Sequence, residues 1–322
     1  MRLDVHAHLW SAEYLDLLQS LGVREVAEYR QLGAGSTARE LAARFALLDA
    51  ADIDMQILSA TPLSPHFEDE KTAVDAARRI NDEYAAVVQQ YPRRFRAIAS
   101  LPLPHIDASL RELGRALSEL GMLGACITTS VLGLSIANPL FDPLYQELDR
   151  RSSVLALHPA GRGALSPLIA DYQLTWAIGA PVEDTVAAMH LIVNGIPKRF
   201  PRMKIIVPHL GGLLPMALER IDQTLAWEAP NTPERPSLAA QRLWYDTVGH
   251  DHPPALRAAV DSFGAERLLF GTDFPFQPGD LFQTTVEYIR RSGLPEPQIA
   301  AILDGNAARL FGLPERGAFT DE

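Results

Sequence analysis

Two histidines, His6 and His8, stand one residue apart in "LDVHAHLW", near the chain start. The run is short and β-prone, and on a strand residues i and i+2 point to the same face. Two neutral imidazoles on one face can begin a metal site, and imidazole suits zinc and similar first-row metals. The same pair could also be two half-buried histidines bonded to backbone, so other residues must decide. Three more groups of the right kind close short apolar runs: His158 in "LALHPAG", His209 in "IIVPHLGG" and Asp273 in "LLFGTDFPF". His6, His8, His158 and Asp273 offer three nitrogens and one oxygen. Catalytic zinc commonly keeps a further position open for water or substrate. His209 would stand beside the ion as general acid or base, or else serve as a fifth ligand or a structural hydrogen-bonder. Asp273 could bind metal and keep a free oxygen for proton transfer.

Other candidates carry less. "GHDHPP" holds a second such pair, His250 and His252, but a glycine and two prolines mark a loop, where i and i+2 need not share a face. His66 and His105 follow the second and third apolar runs; either could line a pocket, but both read as exposed loop histidines. His190 falls inside a helix and reads as packing. Cys126 reads as a small core residue.

The elements that must position these residues alternate. Eight short apolar runs cover 3–8, 54–60, 95–101, 123–129, 153–158, 204–209, 243–248 and 267–273. Between them lie stretches with helical spacing. The clearest spans 72–91, where Val74, Ala77, Ile80, Tyr84, Val87, Val88 and Tyr91 recur at intervals of three and four. Others cover about 107–120, 139–151, 181–196, 213–227, 254–263 and 283–292, and one at 297–311 closes the series. The pattern predicts an α/β fold, a parallel (β/α)8 TIM barrel with its metal site at the C-terminal ends of the strands. A doubly wound open sheet is the alternative, but no GxGxxG turn follows any strand. Residues 1–322 are expected to form one domain, with loop insertions near 22–38, 159–180 and 228–240.

Composition sets the class. The chain has 322 residues, 47% hydrophobic and 21% charged, which is ordinary for a globular protein with a sizeable core. Its net charge of −11 disfavours nonspecific nucleic-acid binding. No apolar run approaches the ~18 residues of a membrane span. The start has no basic stretch leading into an apolar one, so no leader is expected. The single cysteine excludes an internal disulfide and fits a cytoplasmic location.

Taken together, HxH on strand 1, HP on strand 5, HxGG on strand 6 and GTDFP on strand 8 resemble the amidohydrolase superfamily. "NGIPKRFPRMKIIVPHLGGLLPMALERID" and "RLLFGTDFPF" are the most specific stretches. Within the superfamily the chain is similar to the metal-dependent nonoxidative decarboxylases around 2-amino-3-carboxymuconate-6-semialdehyde decarboxylase. The resemblance implies that His6, His8, His158 and Asp273 hold one metal, zinc by expectation and manganese as the alternative, with His209 catalytic. Many superfamily members bridge two metals with a lysine on strand 4. Here the only lysines are Lys71, Lys198 and Lys204, none of them on that strand. The resemblance also implies a homodimer, with Arg220 reaching a neighbour's site to bind a substrate carboxylate. Arg162, close to His158, is the rival clamp. The segment after strand 1 is shorter than in the decarboxylase it resembles, and Arg30 or Arg39 would be its only guessed substrate arginine. Two reactions use this ligand set. One is decarboxylation of a small unsaturated or aromatic carboxylic acid, with Asp273 protonating a carbon or His209 activating water. The other is hydrolysis of a lactone, amide or related bond, in which a metal lowers the pKa of water to about 7 and Asp273 acts as base.

Overall fold

The computed structural model describes residues 1–277 and 279–313. Its eight principal strands are β1 (Leu3–His8), β2 (Met55–Ser59), β3 (Phe95–Ala97), β4 (Gly124–Thr128), β5 (Val154–His158), β6 (Lys204–Val207), β7 (Trp244–Asp246) and β8 (Leu268–Leu269). All pair in parallel in chain order; past Ile98 the strand β3 resumes as Ala99–Ser100, which carries the pairing to β4. The seam between β8 and β1 is joined by main-chain bonds from Val5 to Phe270 (2.9 Å), Asp273 to His6 (2.8 Å) and His8 to Phe274 (2.9 Å). The (β/α)8 barrel expected from the alternating pattern is the fold observed.

Side-chain parity decides what the barrel encloses. Leu3, Val5, Met55, Ile57, Ile98, Cys126, Val154, Ala156, Ile206 and Leu269 form one buried apolar cluster, the barrel interior. On β5 the inward series Val154, Ala156 continues directly to His158. On β1 strict alternation from Leu3 would send both histidines outward with Asp4. The register shifts between Asp4 and Ala7, and beyond the shift Ala7 and Leu9 join the outer core. This bulge turns His6 and His8 inward.

The helices hold these strand ends in place. The helix Glu70–Gln90 starts where the Asp69 carboxylate accepts the Thr72 amide at 2.8 Å, and it ends just before Pro92. Its buried stripe includes Ala73, Ala77, Ile80 and Tyr84, and the Tyr84 hydroxyl donates to the Leu9 carbonyl at 2.8 Å, just past β1. Ile80→Ala would cost about 2–5 kcal/mol there. The helix Ala38–Ala50 opens with a Thr37–Glu40 capping box and buries Arg44. Arg44 lies over the Phe274 ring at 4.3 Å and donates to the His8 carbonyl (2.8 Å) and to Gln56 Oε1 (2.7 Å). Gln56 and Thr272 both donate to Asp4, at 2.7 and 2.6 Å, so one buried polar network spans β1, β2 and the end of β8.

The three expected insertions have structure of their own. Residues 22–38 contain the short helix Val26–Tyr29 and the turn Arg30–Leu32. Residues 159–180 contain the turn Gly163–Leu165, the helix Pro167–Ala170 and the wide turn Thr175–Gly179. The third segment, 228–240, is less loop-like than its prolines suggested. The helix Leu214–Glu228 reaches into it, and Pro236–Ala240 is helical, because proline at a first helical position carries no amide to satisfy. No helix among the described residues is long and apolar enough to cross a membrane.

Candidate metal centre

His6, His8, His158 and Asp273 are brought together at the C-terminal mouth of the barrel, with one ligand atom from each lying within 4.8 Å of the others. His6 Nε2 and His8 Nε2 are each 3.1 Å from Asp273 Oδ1, and His158 Nε2 is 3.9 Å away. All four residues are buried. Acceptors on the far side of the ring set the tautomer of His6 and of His158. His6 Nδ1 donates to Asp246 Oδ2 at 2.7 Å and His158 Nδ1 to the Pro159 carbonyl at 3.0 Å, while His8 Nδ1 meets Ser59 Oγ at 3.0 Å. The three Nε2 atoms therefore converge on a carboxylate oxygen. Among the described residues, His6 Nε2 and His158 Nε2 have no hydrogen-bond partner. Three ring nitrogens and a carboxylate oxygen buried together call for positive charge between them; in the metal-free protein a proton on His6 meets part of that need, and the donor set fits one divalent ion.

Burial dominates the protonation of the ligands. It pulls His8 down to about 3 and His158 downward as well, leaving both neutral. His6 is pulled the same way, but Asp273 and Asp246 on either side outweigh burial and lift it well above the ordinary imidazole value. Burial opposes charge on Asp273 too, yet His6 and the neighbouring histidines hold it well below the usual carboxylate range.

His209 sits beyond the regular end of β6, on a turn. Its φ of 53° and that of Leu210, 57°, are left-handed, and Asp273 has φ 58°. Such backbone costs about 1–3 kcal/mol per non-glycine residue and persists where the surroundings enforce it. Gly212 helps to enforce it, since a Cβ there would lie 2.2 Å from the Pro181 carbonyl. That close approach seats the helix Ala180–Val193 against the turn. The helix supplies Asp184, whose Oδ2 accepts from His209 Nδ1 at 2.8 Å. His209 Nε2 is left facing Asp273 Oδ2 at 3.6 Å. Burial pulls His209 down, but Asp184 and Asp273 win and raise it to about 10.

Arg162 is exposed and lines a cavity of about 460 Å³ at the barrel mouth, together with Tyr29, His66, Phe67 and Trp176. The cavity adjoins the metal cluster: the Tyr29 ring lies 6.1 Å from Phe276, which packs 5.7 Å from His8. Arg220 lies elsewhere, exposed on the helix Leu214–Glu228 and outside the cavity lining. The guesses for the first insertion do not reach the cavity either. Arg30 pairs with Asp16 and Gln19, and Arg39 is exposed on a helix; Arg24 is the arginine of that segment in the lining. His66 is a cavity residue, not an exposed loop histidine. Thr128 Oγ1 spends its proton on the Ser130 carbonyl at 2.6 Å, so its 3.3 Å contact with His66 must run from Nδ1–H, which leaves Nε2 unprotonated. Burial lowers His66 to about 4. His105 bonds the Phe67 carbonyl at 2.9 Å and His190 meets Ser135 Oγ at 2.8 Å. His250 and His252 join no ligand cluster among the described residues. Lys71, Lys198 and Lys204 bind Asp75, the Pro233 carbonyl and the Leu310 carbonyl, all away from the centre.

Sequence reasoning missed Asp246, Asp184, Ser59 and Arg24. Only Asp246 carried a usable signal, an acid ending the seventh apolar run in "LWYDTV". Residues 3–313 match the family profile described as amidohydrolase. The chain belongs to the amidohydrolase family. This amidohydrolase is 30% identical over 275 residues to 2-amino-3-carboxymuconate-6-semialdehyde decarboxylase of Dictyostelium discoideum, covering 83% of this chain and 75% of that one. It is 31% identical over 293 residues to gamma-resorcylate decarboxylase of Polaromonas sp., covering 84% and 86%. A solved dihydroxybenzoic acid decarboxylase from Polaromonas sp. JS666, with bound manganese and the inhibitor 2-nitroresorcinol, superposes with a TM-score of 0.83 at 27% identity, covering 97% of this chain and 96% of that one.

Proposed function

We propose that this amidohydrolase is a metal-dependent nonoxidative decarboxylase of a small aromatic carboxylic acid, a carboxy-lyase. The observation that carries the reading is His209 Nε2 facing Asp273 Oδ2 at 3.6 Å beside a one-metal donor set, in a chain 30% and 31% identical to two decarboxylases. His6, His8, His158 and Asp273 hold the ion. Three imidazoles and a carboxylate suit zinc, and the manganese of the solved neighbour makes manganese the second ion to test. When bound, the ion supplies Lewis-acid charge that anchors an anionic substrate.

The chain's own groups then divide the work. In the metal-free protein Asp184 and Asp273 raise His209 to about 10, which equips its ring to carry the proton, while Asp273 is held well below the usual carboxylate range. A proton leaves His209 Nε2 for the ring carbon that bears the carboxylate, directly or through Asp273 Oδ2. The carbon–carboxylate bond breaks, its electron pair returns to the ring and carbon dioxide departs. Asp184 keeps the imidazole oriented throughout. Arg162, in the cavity, binds a substrate carboxylate in a bidentate fork.

Reconstitution with zinc or manganese should yield carbon dioxide from a panel of hydroxybenzoates. Cleavage of lactones or amides at good rates with every acid untouched would instead favour the hydrolase reading. The reading extends to a homodimer in the cytoplasm. Met216, 82% exposed, and Arg220 lie one turn apart on the same open helix face, where a second copy could cover the apolar residue and take the guanidinium into its own mouth. Light scattering checks the dimer. Arg220→Ala should raise KM about tenfold or more without loss of metal, the scale of a charge-assisted bond. Unchanged kinetics would leave Arg220 a surface residue.

A further inference from the structure

The loop after β2 gives the cavity at the barrel mouth two polar atoms that the fold itself does not use. Ser64 and His66 both line the cavity, and Ser64 Oγ and His66 Nε2 are buried without a hydrogen-bond partner among the described residues. Buried polar groups are nearly always paired, so two such atoms on one wall call for a partner from outside the fold. The two differ in what they can bind. A serine hydroxyl both donates and accepts, and discriminates little. His66 Nε2 can only accept, because the ring proton is committed to Nδ1 by the contact with Thr128 Oγ1, whose own proton goes to the Ser130 carbonyl. Burial, which lowers His66 to about 4, keeps the ring neutral and this lone pair available at neutral pH.

The acceptor is held in place. Trp10 Nε1 donates to the Ala60 carbonyl at 2.8 Å, the Tyr14 hydroxyl to the Leu63 carbonyl at 2.8 Å and His105 Nε2 to the Phe67 carbonyl at 2.9 Å. The main chain is thus pinned on both sides of His66, whose own amide donates to the Ser64 carbonyl at 2.8 Å. Thr128, which the imidazole contacts, is the β4 residue paired with His158, so His66 rests on the strand beside that of a candidate metal ligand. The four candidate ligands do not line the cavity, whereas the aromatic rings of Tyr29, Phe67 and Trp176 do. An aromatic acid with its reacting carboxylate at the metal centre would extend its ring among these side chains. A substituent on the far side of that ring would then meet the imidazole.

We infer that His66 Nε2 accepts a hydrogen bond from a hydroxyl meta or para to the reacting carboxylate, and that His66 thereby selects hydroxylated aromatic acids. The inference rests on the carboxylic-acid reading of the metal centre. A hydrogen or a methoxy group at the same ring position brings no proton to the nitrogen and leaves a buried acceptor unpaired. A site built to bond a hydroxyl rejects analogues without one, and an unpaired buried group costs about tenfold or more in affinity.

The test uses the full chain loaded with manganese and measures by calorimetry the binding of benzoate and of its meta- and para-hydroxy and meta- and para-methoxy derivatives. Ortho hydroxyls are left out because they can chelate the ion together with the carboxylate. At least one hydroxybenzoate should bind about tenfold more tightly than both benzoate and its own methoxy counterpart. His66→Asn keeps an amide nitrogen for Thr128 and places nothing at the Nε2 position. It should retain the metal and erase the advantage of hydroxyl over hydrogen and methoxy; a residue that merely supported the loop would weaken all the acids alike. If benzoate binds and no hydroxybenzoate gains over it, the hydroxyl site is overturned and the carboxylic-acid reading stands. If the advantage survives in His66→Asn, the assignment to His66 is overturned. If none of the acids binds, the carboxylic-acid reading itself fails, and this inference with it.

Discussion

Asp246 holds His6 with one oxygen, Oδ2 to Nδ1 at 2.7 Å, and with the other it accepts the amides of His209 (2.8 Å) and Val248 (3.0 Å). One carboxylate thus couples an imidazole of the candidate metal centre to the turn that carries His209. Asp246→Asn tests this coupling. The asparagine oxygen can keep both amides, which leaves its NH₂ facing His6 Nδ1. The ring must then accept there and carry its proton on Nε2, where the ion belongs. Metal affinity should fall about 10–100-fold, measured by competition with a chelator. Affinity equal to that of the unaltered protein would mean that Asp246 does not set the tautomer.

Asp184 favours a proton on His209. Burial pushes the imidazole down, and the Asp184 carboxylate 2.8 Å from Nδ1, together with Asp273, lifts it to about 10. Asp184→Asn removes the lifting charge and keeps the burial, so the pKa of His209 should fall. The alkaline limb of the kcat profile should move to lower pH, because the proton is lost sooner as pH rises. His209→Asn should lower kcat by about 10²–10⁴-fold and retain the metal. An alkaline limb that stays in place in Asp184→Asn would remove His209 from the role of acid.

The eight strands and the meeting of His6, His8, His158 and Asp273 were legible because both follow short-range rules. Apolar runs alternate with helical spacing, and histidines separated by two share a face. Even so, His6 and His8 face inward only because of the bulge after Asp4, which nothing in "LDVHAH" announces. Regular pairing on β8 stops at Leu269, so Asp273 comes from a left-handed turn and not from a strand end. Asp184 could not be found by pattern. It lies inside a helix, 25 residues from the histidine it serves, and only the close approach at Gly212 brings the two together. Arg24 was hidden for a similar reason: among several arginines after β1, exposure toward one cavity is a property of the folded chain.

Metal binding should compete with protons. Asp273 and Asp246 outweigh burial at His6 and raise its pKa, so in the metal-free protein this ring tends to hold the proton that an ion must displace. Affinity should therefore rise with pH, by about tenfold per unit while one proton is released. Titration with zinc or manganese at several pH values from about 6 to 8 measures the slope. Saturating metal should also stabilise the fold, by about 2.7 kcal/mol at a hundred times Kd, and chelation should reverse the gain. An affinity independent of pH would contradict a protonated His6.

Asp4 offers a pH test outside the catalytic groups. Its carboxyl is buried under Arg44 and Gln56, and burial raises it to about 6 despite bonds from Thr272, Gln56 and the His6 amide. An unfolded aspartate titrates near 3.9. Between about pH 4 and pH 6 the folded chain keeps a proton that the unfolded chain has released. Stability from this group is therefore greatest below pH 4 and is lost as pH rises through 6, a fall of about 3 kcal/mol for two pKa units. Asp4→Asn cannot ionise, so its stability between pH 4 and pH 7 should lack that fall, whatever its absolute value. Urea denaturation of both metal-free proteins across this range gives the two curves, and contributions from all other groups cancel in their difference. Parallel curves would show that Asp4 ionises in the fold as easily as in the open chain, and that the donors around it fully repay its burial.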